Sequence, residues 1–139
     1  MDNENSKSKI EIFYNSISVI CIIVAFLNTI YTPGWLWLFI FTLGPVHAIF
    51  FFFSNYYLAK YAKKSVLTNL LFWISCITFT MIYVLMPEFN DISSYAFFGT
   101  IYDTKTIDMF AIIVKYSLCV NIITSILSGF ILYKKEKKN

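Results

Sequence analysis

The chain contains no arginine, and it has only one histidine, four glycines and three prolines among its 139 residues. Its hydrophobic segments carry no pair of carboxylates, so few side chains are available for acid–base catalysis. Glycine-rich phosphate loops, His-Glu-x-x-His and Gly-x-Ser-x-Gly sequences are also missing. These absences predict a protein that is not an enzyme and that binds no cofactor.

Charge is sparse as well, at 14% of residues, with a net value of only +3. Nucleic-acid binding proteins concentrate many basic residues on one surface. Here most of the basic residues lie in three short polar segments, at the two ends of the chain and in one loop: Lys7, Lys9, Lys60, Lys63, Lys64, Lys134, Lys135, Lys137 and Lys138. This distribution predicts that nucleic acid is not a partner.

What the chain does have is apolar surface, with 58% hydrophobic and 20% aromatic residues. A soluble domain of this length has too much surface for its volume to bury so many apolar side chains. The lipid bilayer is therefore the expected solvent. Runs long enough to cross about 30 Å of hydrocarbon as helices occur at about 11–31, 35–59, 66–86 and 109–133. We predict an all-α integral membrane protein, a single four-span domain.

The lysine-rich segments alternate with two connections that are mildly acidic. Cytoplasmic segments of membrane proteins carry an excess of lysine and arginine. This predicts that both termini, including the tail 134–139, lie in the cytoplasm, and that the long loop 87–107 lies outside. Short connections place consecutive helices side by side and antiparallel, which gives an up-down bundle. We expect the cytoplasmic (inner) membrane of a bacterium as the location.

Each predicted span carries small or polar residues at intervals of three or four, which places them on one face of a helix. Such faces usually meet inside a membrane bundle, where they pack and hydrogen-bond. They comprise Asn15, Ser18, Cys21, Ala25 and Asn28 in the first span, Gly44, His47, Phe51 and Ser54 in the second, Asn69, Trp73, Cys76, Thr80 and Tyr83 in the third, and Ser117, Asn121, Thr124 and Ser128 in the fourth.

His47 is the first candidate for a functional residue. It lies twelve residues beyond Trp35, about 18 Å into the membrane, so it reaches neither interface. Pro45 removes a backbone donor and frees the carbonyl of Phe41. An ionisable group beside a kink suits proton or ion gating. The other interpretation is a neutral imidazole that is hydrogen-bonded to the freed carbonyl or to Asn121.

Lys115 is the only formal charge well inside a span. One interpretation is that its long side chain extends outward and pairs with the acidic loop. The other is that it coordinates a ligand or an ion.

A metal site is not expected, although Cys21, His47, Cys76 and Cys119 each lie near the middle of a span. At 100° per residue, Cys119 falls on the side of its helix that faces away from Ser117 and Asn121. One ligand of the four would therefore point the wrong way, and the chain has no Cys-x-x-Cys pair.

The outer loop has three aromatic residues at its centre, Tyr95, Phe97 and Phe98. Loops of this length are usually functional or disordered. We consider both a recognition site for a partner and an interfacial segment that folds back over the bundle.

Three functions remain open. The interpretation we favour is a protein that binds and restrains a membrane-active protein partner, as immunity proteins against pore-forming bacteriocins do. The alternative is an oligomeric ion or proton conduit, including a membrane-depolarising antiphage effector, in which case the chain forms homo-oligomers. The second alternative is a small-solute transporter, which the lack of membrane carboxylates and of an internal repeat disfavours.

Overall fold

The computed structural model describes residues 2–31, 37–62, 65–89, 94–96, 99–101 and 103–136. Side chains are described over narrower ranges, namely 9–31, 42–60, 65–87, 96, 99–101, 103 and 104–131. All structural statements below concern these residues.

Four helices make up nearly all of the described chain. They are α1 (Asp2–Tyr31), α2 (Trp37–Ala62), α3 (Val66–Val84) and α4 (Thr104–Glu136). Three of them contain a stretch that is long and apolar enough to cross a membrane: Lys9–Tyr31, Val66–Val84 and Thr104–Ile131. The prediction of a helical membrane protein is confirmed at this level. Helix α4 begins at Thr104, so the last part of the predicted outer loop is helical.

Contacts between side chains give the directions of the helices. Tyr14 of α1 bonds to Asn69 of α3, and Asn28 of α1 bonds to Tyr83 of α3, so these two helices run in parallel. Helix α2 runs in the opposite direction to α3. His47 contacts Tyr83, whereas Asn55, which comes later on α2, contacts Cys76, which comes earlier on α3.

The same relation holds between α3 and α4, where Asn121 bonds to Ser75 and Ser117 lies near Met81. Both α2 and α4 are therefore antiparallel to α3. The four helices alternate in direction along the chain, which is the up-down arrangement of a bundle with consecutive helices antiparallel.

The apolar core is built around α3, where Phe72 and Phe79 have at most 1% of their surface exposed. Phe51 of α2 stacks on Phe79, with 3.9 Å between the ring centroids and 15° between the planes. Ala25 of α1 and Leu58 of α2 complete this layer. Helix α3 thus contacts all three other helices and holds the bundle together.

The connection between α3 and α4 contains two short strands, β1 (Glu88–Phe89) and β2 (Ser94–Tyr95). They pair antiparallel, with Glu88 opposite Tyr95 and Phe89 opposite Ser94. Ala96 and Ile101 exchange two backbone hydrogen bonds of 3.0 and 3.2 Å just beyond this pair.

Gly99, inside the turn between Ala96 and Ile101, has φ +72°. This is a conformation that side chains disfavour. A Cβ atom at this position would lie 3.1 Å from the Tyr31 carbonyl oxygen. The turn therefore packs against the end of α1, and it needs glycine there for both its backbone conformation and its close approach.

Candidate functional site

His47 lies inside the bundle between α3 and α4. Its Nδ1 atom is 2.9 Å from the Tyr83 hydroxyl, and its Nε2 atom is 3.1 Å from Asn121 Oδ1. An amide oxygen only accepts, so Nε2 carries the proton and donates to Asn121. In a neutral imidazole Nδ1 is then the acceptor, and the Tyr83 hydroxyl donates to it. Both ring nitrogens of His47 are thus hydrogen-bonded, each to a different helix.

The orientation of the Asn121 amide is fixed by its other contacts. Asn121 Nδ2 donates to the Ser75 carbonyl at 3.2 Å and to Thr78 Oγ1 at 2.9 Å. The carbonyl accepts only, and the Thr78 hydroxyl already donates to the Ile74 carbonyl at 2.8 Å. The amide nitrogen must therefore face α3, which leaves the amide oxygen for His47. Asn121 is 2% exposed, so these bonds form away from lipid.

The network continues to α1 through the backbone of Tyr83. Asn28 Nδ2 donates to the Tyr83 carbonyl at 2.7 Å, and Asn28 is 2% exposed. One connected set of hydrogen bonds therefore joins all four helices, with His47 and Asn121 at its centre. Buried networks of this kind specify one arrangement of helices when every member has its partners.

Aromatic rings of α3 pack against the His47 side chain. The His47 ring lies 5.2 Å from Phe79 and 5.7 Å from Tyr83, measured between centroids. Phe79 and Tyr83 are themselves 4.8 Å apart. The imidazole therefore packs against aromatic rings, and its polar contacts with the described residues are those to Tyr83 and Asn121.

Pro45 is exposed and lies at the edge of a cavity. The cavity has a volume of about 250 Å³ and lies between α1 and α2, with α3 as its floor. Nearly all of its lining is apolar, and Gly44, Pro45 and Ala48 form the α2 side. The Thr29 hydroxyl in this lining donates to the Ala25 carbonyl at 3.0 Å, so it adds no free donor.

Lys115 and Cys119 lie on the outer surface of α4. Within the described ranges no carboxylate lies within ion-pair distance of Lys115. Its neighbours on the same face include Tyr116 and Ile112, which are 67% and 56% exposed. The structure therefore places Lys115 on the outer surface, apart from His47 and Asn121, which bond to each other inside the bundle.

The aromatic centre of the outer loop falls largely outside the described residues. Tyr95 belongs to strand β2, and its side chain is not described, while Phe97 and Phe98 lie outside the described ranges. The hypothesis that these three residues recognise a partner therefore stays a prediction.

The residues of the polar faces predicted from spacing are buried or half-buried, with one exception. Ser117, Asn121, Thr124 and Ser128 of α4 are all buried, as are Ser18, Ala25 and Asn28 of α1. Trp73 was expected on the inward face of α3, but it is 40% exposed. The residues of α3 that face α1 are Asn69, Cys76 and Tyr83, and Trp73 falls at the edge of that face because it is rotated by about 60° from Cys76.

Asn55 of α2 is a core residue that the predicted polar faces do not include. It is fully buried, and its Nδ2 atom lies 3.5 Å from Cys76 Sγ. It shares its face with Phe51 and Leu58, at intervals of four and three, rather than with Ser54. The available signal was the rarity of asparagine in an apolar span, since such a residue usually faces the bundle interior.

Among the described residues, no three histidine, cysteine, aspartate or glutamate side chains converge on a site that could hold a metal ion. Comparison with family models, with curated proteins and with solved structures finds no match to this chain.

Proposed function

We propose that the chain is a multi-pass protein of the bacterial cytoplasmic membrane that acts by binding a membrane-active protein partner within the bilayer. In this proposal all four helices cross the membrane, both termini are cytoplasmic, and the 87–107 loop is outside. The distribution of lysines supports the orientation. The length of α2, 26 residues, is sufficient for a fourth span.

The observation that carries the proposal is the apolar cavity between α1 and α2. Gly44 and Ala48 lie four residues apart on its wall. Small residues at this spacing allow the backbone of another membrane helix to approach closely. Helix α1 does not fill this part of α2, so the position is open to a helix of a partner. The polar groups of His47 and Asn121 are hydrogen-bonded inside the bundle. We therefore assign partner binding to the apolar cavity.

Filling the cavity tests this proposal. Cells that express the chain are challenged with a panel of pore-forming bacteriocins, and survival and membrane potential are measured. We expect protection against at least one toxin, and its loss in Ala48→Leu, because the added side chain occupies the docking position. Phe53→Leu is the matched control, since Phe53 lies on the same helix and is 57% exposed.

Two results would count against the proposal. One is the absence of protection against every toxin with the protein present in the membrane. The other is full protection by Ala48→Leu. Alanine at Tyr95, Phe97 and Phe98 then separates the two candidate surfaces, because loss of protection in that variant alone assigns recognition to the outer loop.

The orientation has its own test, single-cysteine labelling in a cysteine-free background. Thr100 and Lys60 are both exposed, and they lie at opposite ends of the bundle. We expect a membrane-impermeant maleimide to label Thr100→Cys in intact cells and Lys60→Cys only after lysis. The reverse pattern would invert the topology.

An ion or proton conduit is the second candidate, and His47 is the observation that favours it. The imidazole lies in the interior of the bundle, and a proton added at Nδ1 requires the Tyr83 hydroxyl to turn and become the acceptor. Protonation therefore reorganises a contact between α2 and α3.

The conduit hypothesis predicts that induced expression collapses the membrane potential and that His47→Ala restores it at a matched protein level. Phe50→Ala serves as the control, because Phe50 lies on the same helix and is 71% exposed. A collapse that His47→Ala leaves unchanged would exclude His47 as the gating residue. An undisturbed potential favours the partner-binding proposal.

A further inference from the structure

Helices α1 and α3 pair in parallel with a constant offset between their residue numbers. Tyr14 donates to Asn69 Oδ1 at 2.8 Å, and Asn28 donates to the Tyr83 carbonyl at 2.7 Å. In both pairs the residues are 55 positions apart. The two contacts are fourteen residues apart on each helix, which is two heptads, the repeat at which parallel helices keep the same faces together.

Cys21 and Cys76 lie midway between these two contacts, and they share the same offset of 55 positions. Equivalent residues of an in-register parallel pair are those whose backbones come closest. The register set by the two flanking contacts therefore places Cys21 and Cys76 opposite each other across the interface of α1 and α3. Ser18 and Ala25 flank Cys21 on the α1 face, and both are buried. Small side chains at these positions let the helices approach closely, as the short Cα–Cα distance of a disulfide requires.

The surroundings of the pair are apolar apart from a few neutral groups. Cys76 is 3% exposed and belongs to the same core cluster as Phe72 and Phe79. Asn55 Nδ2 lies 3.5 Å from Cys76 Sγ, where it stabilises negative charge that develops on the sulfur. The amide oxygen of Asn55 has no hydrogen-bond partner among the described residues.

We propose that Cys21 and Cys76 form an oxidation site, at which a lipid-soluble quinone converts the two thiols into a disulfide between α1 and α3. Two S–H bonds break and one S–S bond forms. The two electrons and two protons pass to the quinone, which leaves as the quinol. No other reactant is needed, and the reaction is reversed by a dithiol reductant.

A quinone is the oxidant that the location selects. Cys21 lies twelve residues from Lys9 and ten from Tyr31, the ends of the membrane-length stretch of α1, so at least about 15 Å of helix separates it from either end. Water-soluble disulfide reagents exchange with thiols through charged thiolates. These species do not enter hydrocarbon readily, because burying a charge there is costly. A quinone is neutral and dissolves in the same layer as the cysteines. The site does not depend on the partner or conduit proposals.

The disulfide would fix α1 against α3 beside the cavity. Ile22 and Ala25 line that cavity, and they follow Cys21 by one and four residues on α1. Oxidation therefore holds one wall of the cavity in place.

The test uses the full chain, purified in the reduced state and placed in lipid nanodiscs. The protein is incubated with a short-chain ubiquinone analogue, quenched with a maleimide, and cut by a lysine-specific protease at Lys60, which is exposed in the last turn of α2. Cleavage there separates the fragment with Cys21 from the fragment with Cys76. On a non-reducing gel we expect the wild-type fragments to stay joined after quinone treatment and to separate after reduction.

Three variants serve as controls. Cys119→Ser removes the exposed cysteine and should behave as the wild type. Cys21→Ser and Cys76→Ser should each lose the joined band completely. Mass spectrometry of the wild-type product identifies the joined peptides directly, so the result does not depend on how the variants fold.

Two outcomes would overturn the proposal. One is that the wild-type fragments separate and all three thiols react with maleimide after quinone treatment. The other is that the joined peptides contain Cys119 in place of Cys21 or Cys76.

Discussion

Helices α3 and α4 are both long and apolar enough to cross a membrane, yet they bury different kinds of side chain. Half of the residues in the membrane-length part of α3 are buried (50%), compared with 17% for α4. Helix α3 buries large apolar residues, including Leu71, Phe72 and Phe79. In α4 the buried residues of the span are almost all polar, with Ile107 near its start as the apolar exception.

This difference shows what drives burial on each helix. In lipid, an apolar side chain gains little by leaving the bilayer, so α4 turns Ile112, Ile123 and Phe130 outward at no cost. Its inward residues are those that lipid cannot solvate. Thr124 and Ser128 donate to carbonyls four residues earlier on α4 itself, whereas Asn121 bonds to other helices. Helix α3, at the centre, is held by close packing of rings as well.

The largest contrast is expected between a buried and an exposed phenylalanine. Phe72 of α3 has no exposed surface, while Phe130 of α4 is 63% exposed. Phe72→Ala leaves a cavity in the core, and we expect it to lower the free energy of unfolding by about 3 kcal/mol, the low end for such a truncation because lipid replaces water as the reference. Phe130→Ala should change it by less than about 0.5 kcal/mol.

The measurement is reversible unfolding in mixed micelles, followed by circular dichroism for both variants. Equal losses of stability would mean that α4 packs through its apolar face and that the contrast between the two helices is wrong.

A smaller effect is expected for the polar contact that ties α4 to the bundle. Asn121→Leu keeps the branched shape of the side chain but removes bonds to His47, Ser75 and Thr78. Hydrogen bonds between membrane helices contribute about 0.6 kcal/mol each on average, so we expect a loss of about 2 kcal/mol.

The control is Ile122→Leu, at the next position, where the side chain is 51% exposed and no change is expected. The same unfolding assay compares the two. If Asn121→Leu were as stable as the wild type, the network around His47 would contribute nothing to holding α4.

The sequence predicts the buried residues of α4 better than those of α3. In α4 the inward residues can be read directly, because Ser117, Asn121, Thr124 and Ser128 recur at helical spacing among apolar residues. In α3 the buried residues include Phe72 and Phe79, which composition cannot distinguish from the exposed Leu70 or Ile77. Lipid accepts all of them, so their burial is decided by packing against α1 and α2.

In the candidate site, too, some contacts can be predicted from the sequence and others cannot. A bond to Asn121 is one of the two contacts that the sequence suggests for a neutral His47 imidazole, and the structure contains it. The contribution of Thr78 and Tyr83, and the pairing of Cys21 with Cys76, depend on the relative shift of helices that are far apart in sequence. No local pattern encodes that shift. For the cysteine pair it is the constant offset of α1 and α3, which becomes visible only when both helices are placed.

The smallest expected difference lies at the first residues of the two helices. At α3 the preceding residue, Ser65, makes no side-chain hydrogen bond to the helix. At α4 the Asp103 carboxylate accepts from the Thr106 backbone N–H at 3.0 Å and from its hydroxyl at 2.7 Å. The Thr106 hydroxyl and backbone bonds lower the pKa of Asp103 below its ordinary value. Asp103→Ala should therefore loosen the first turn of α4, whereas Ser65→Ala should leave α3 unchanged.

The direction of the pKa shift also sets the pH dependence. Because the folded pKa is depressed, the carboxylate stabilises the helix start fully above the ordinary value of about 3.9, and this contribution is lost as pH falls through the folded pKa. An NMR titration of the Thr106 amide should show a midpoint below about 3.9. Asp103→Asn keeps an acceptor and abolishes the titration. A midpoint at or above the ordinary value would show that the free carboxylate, and not the capped helix, is what titrates.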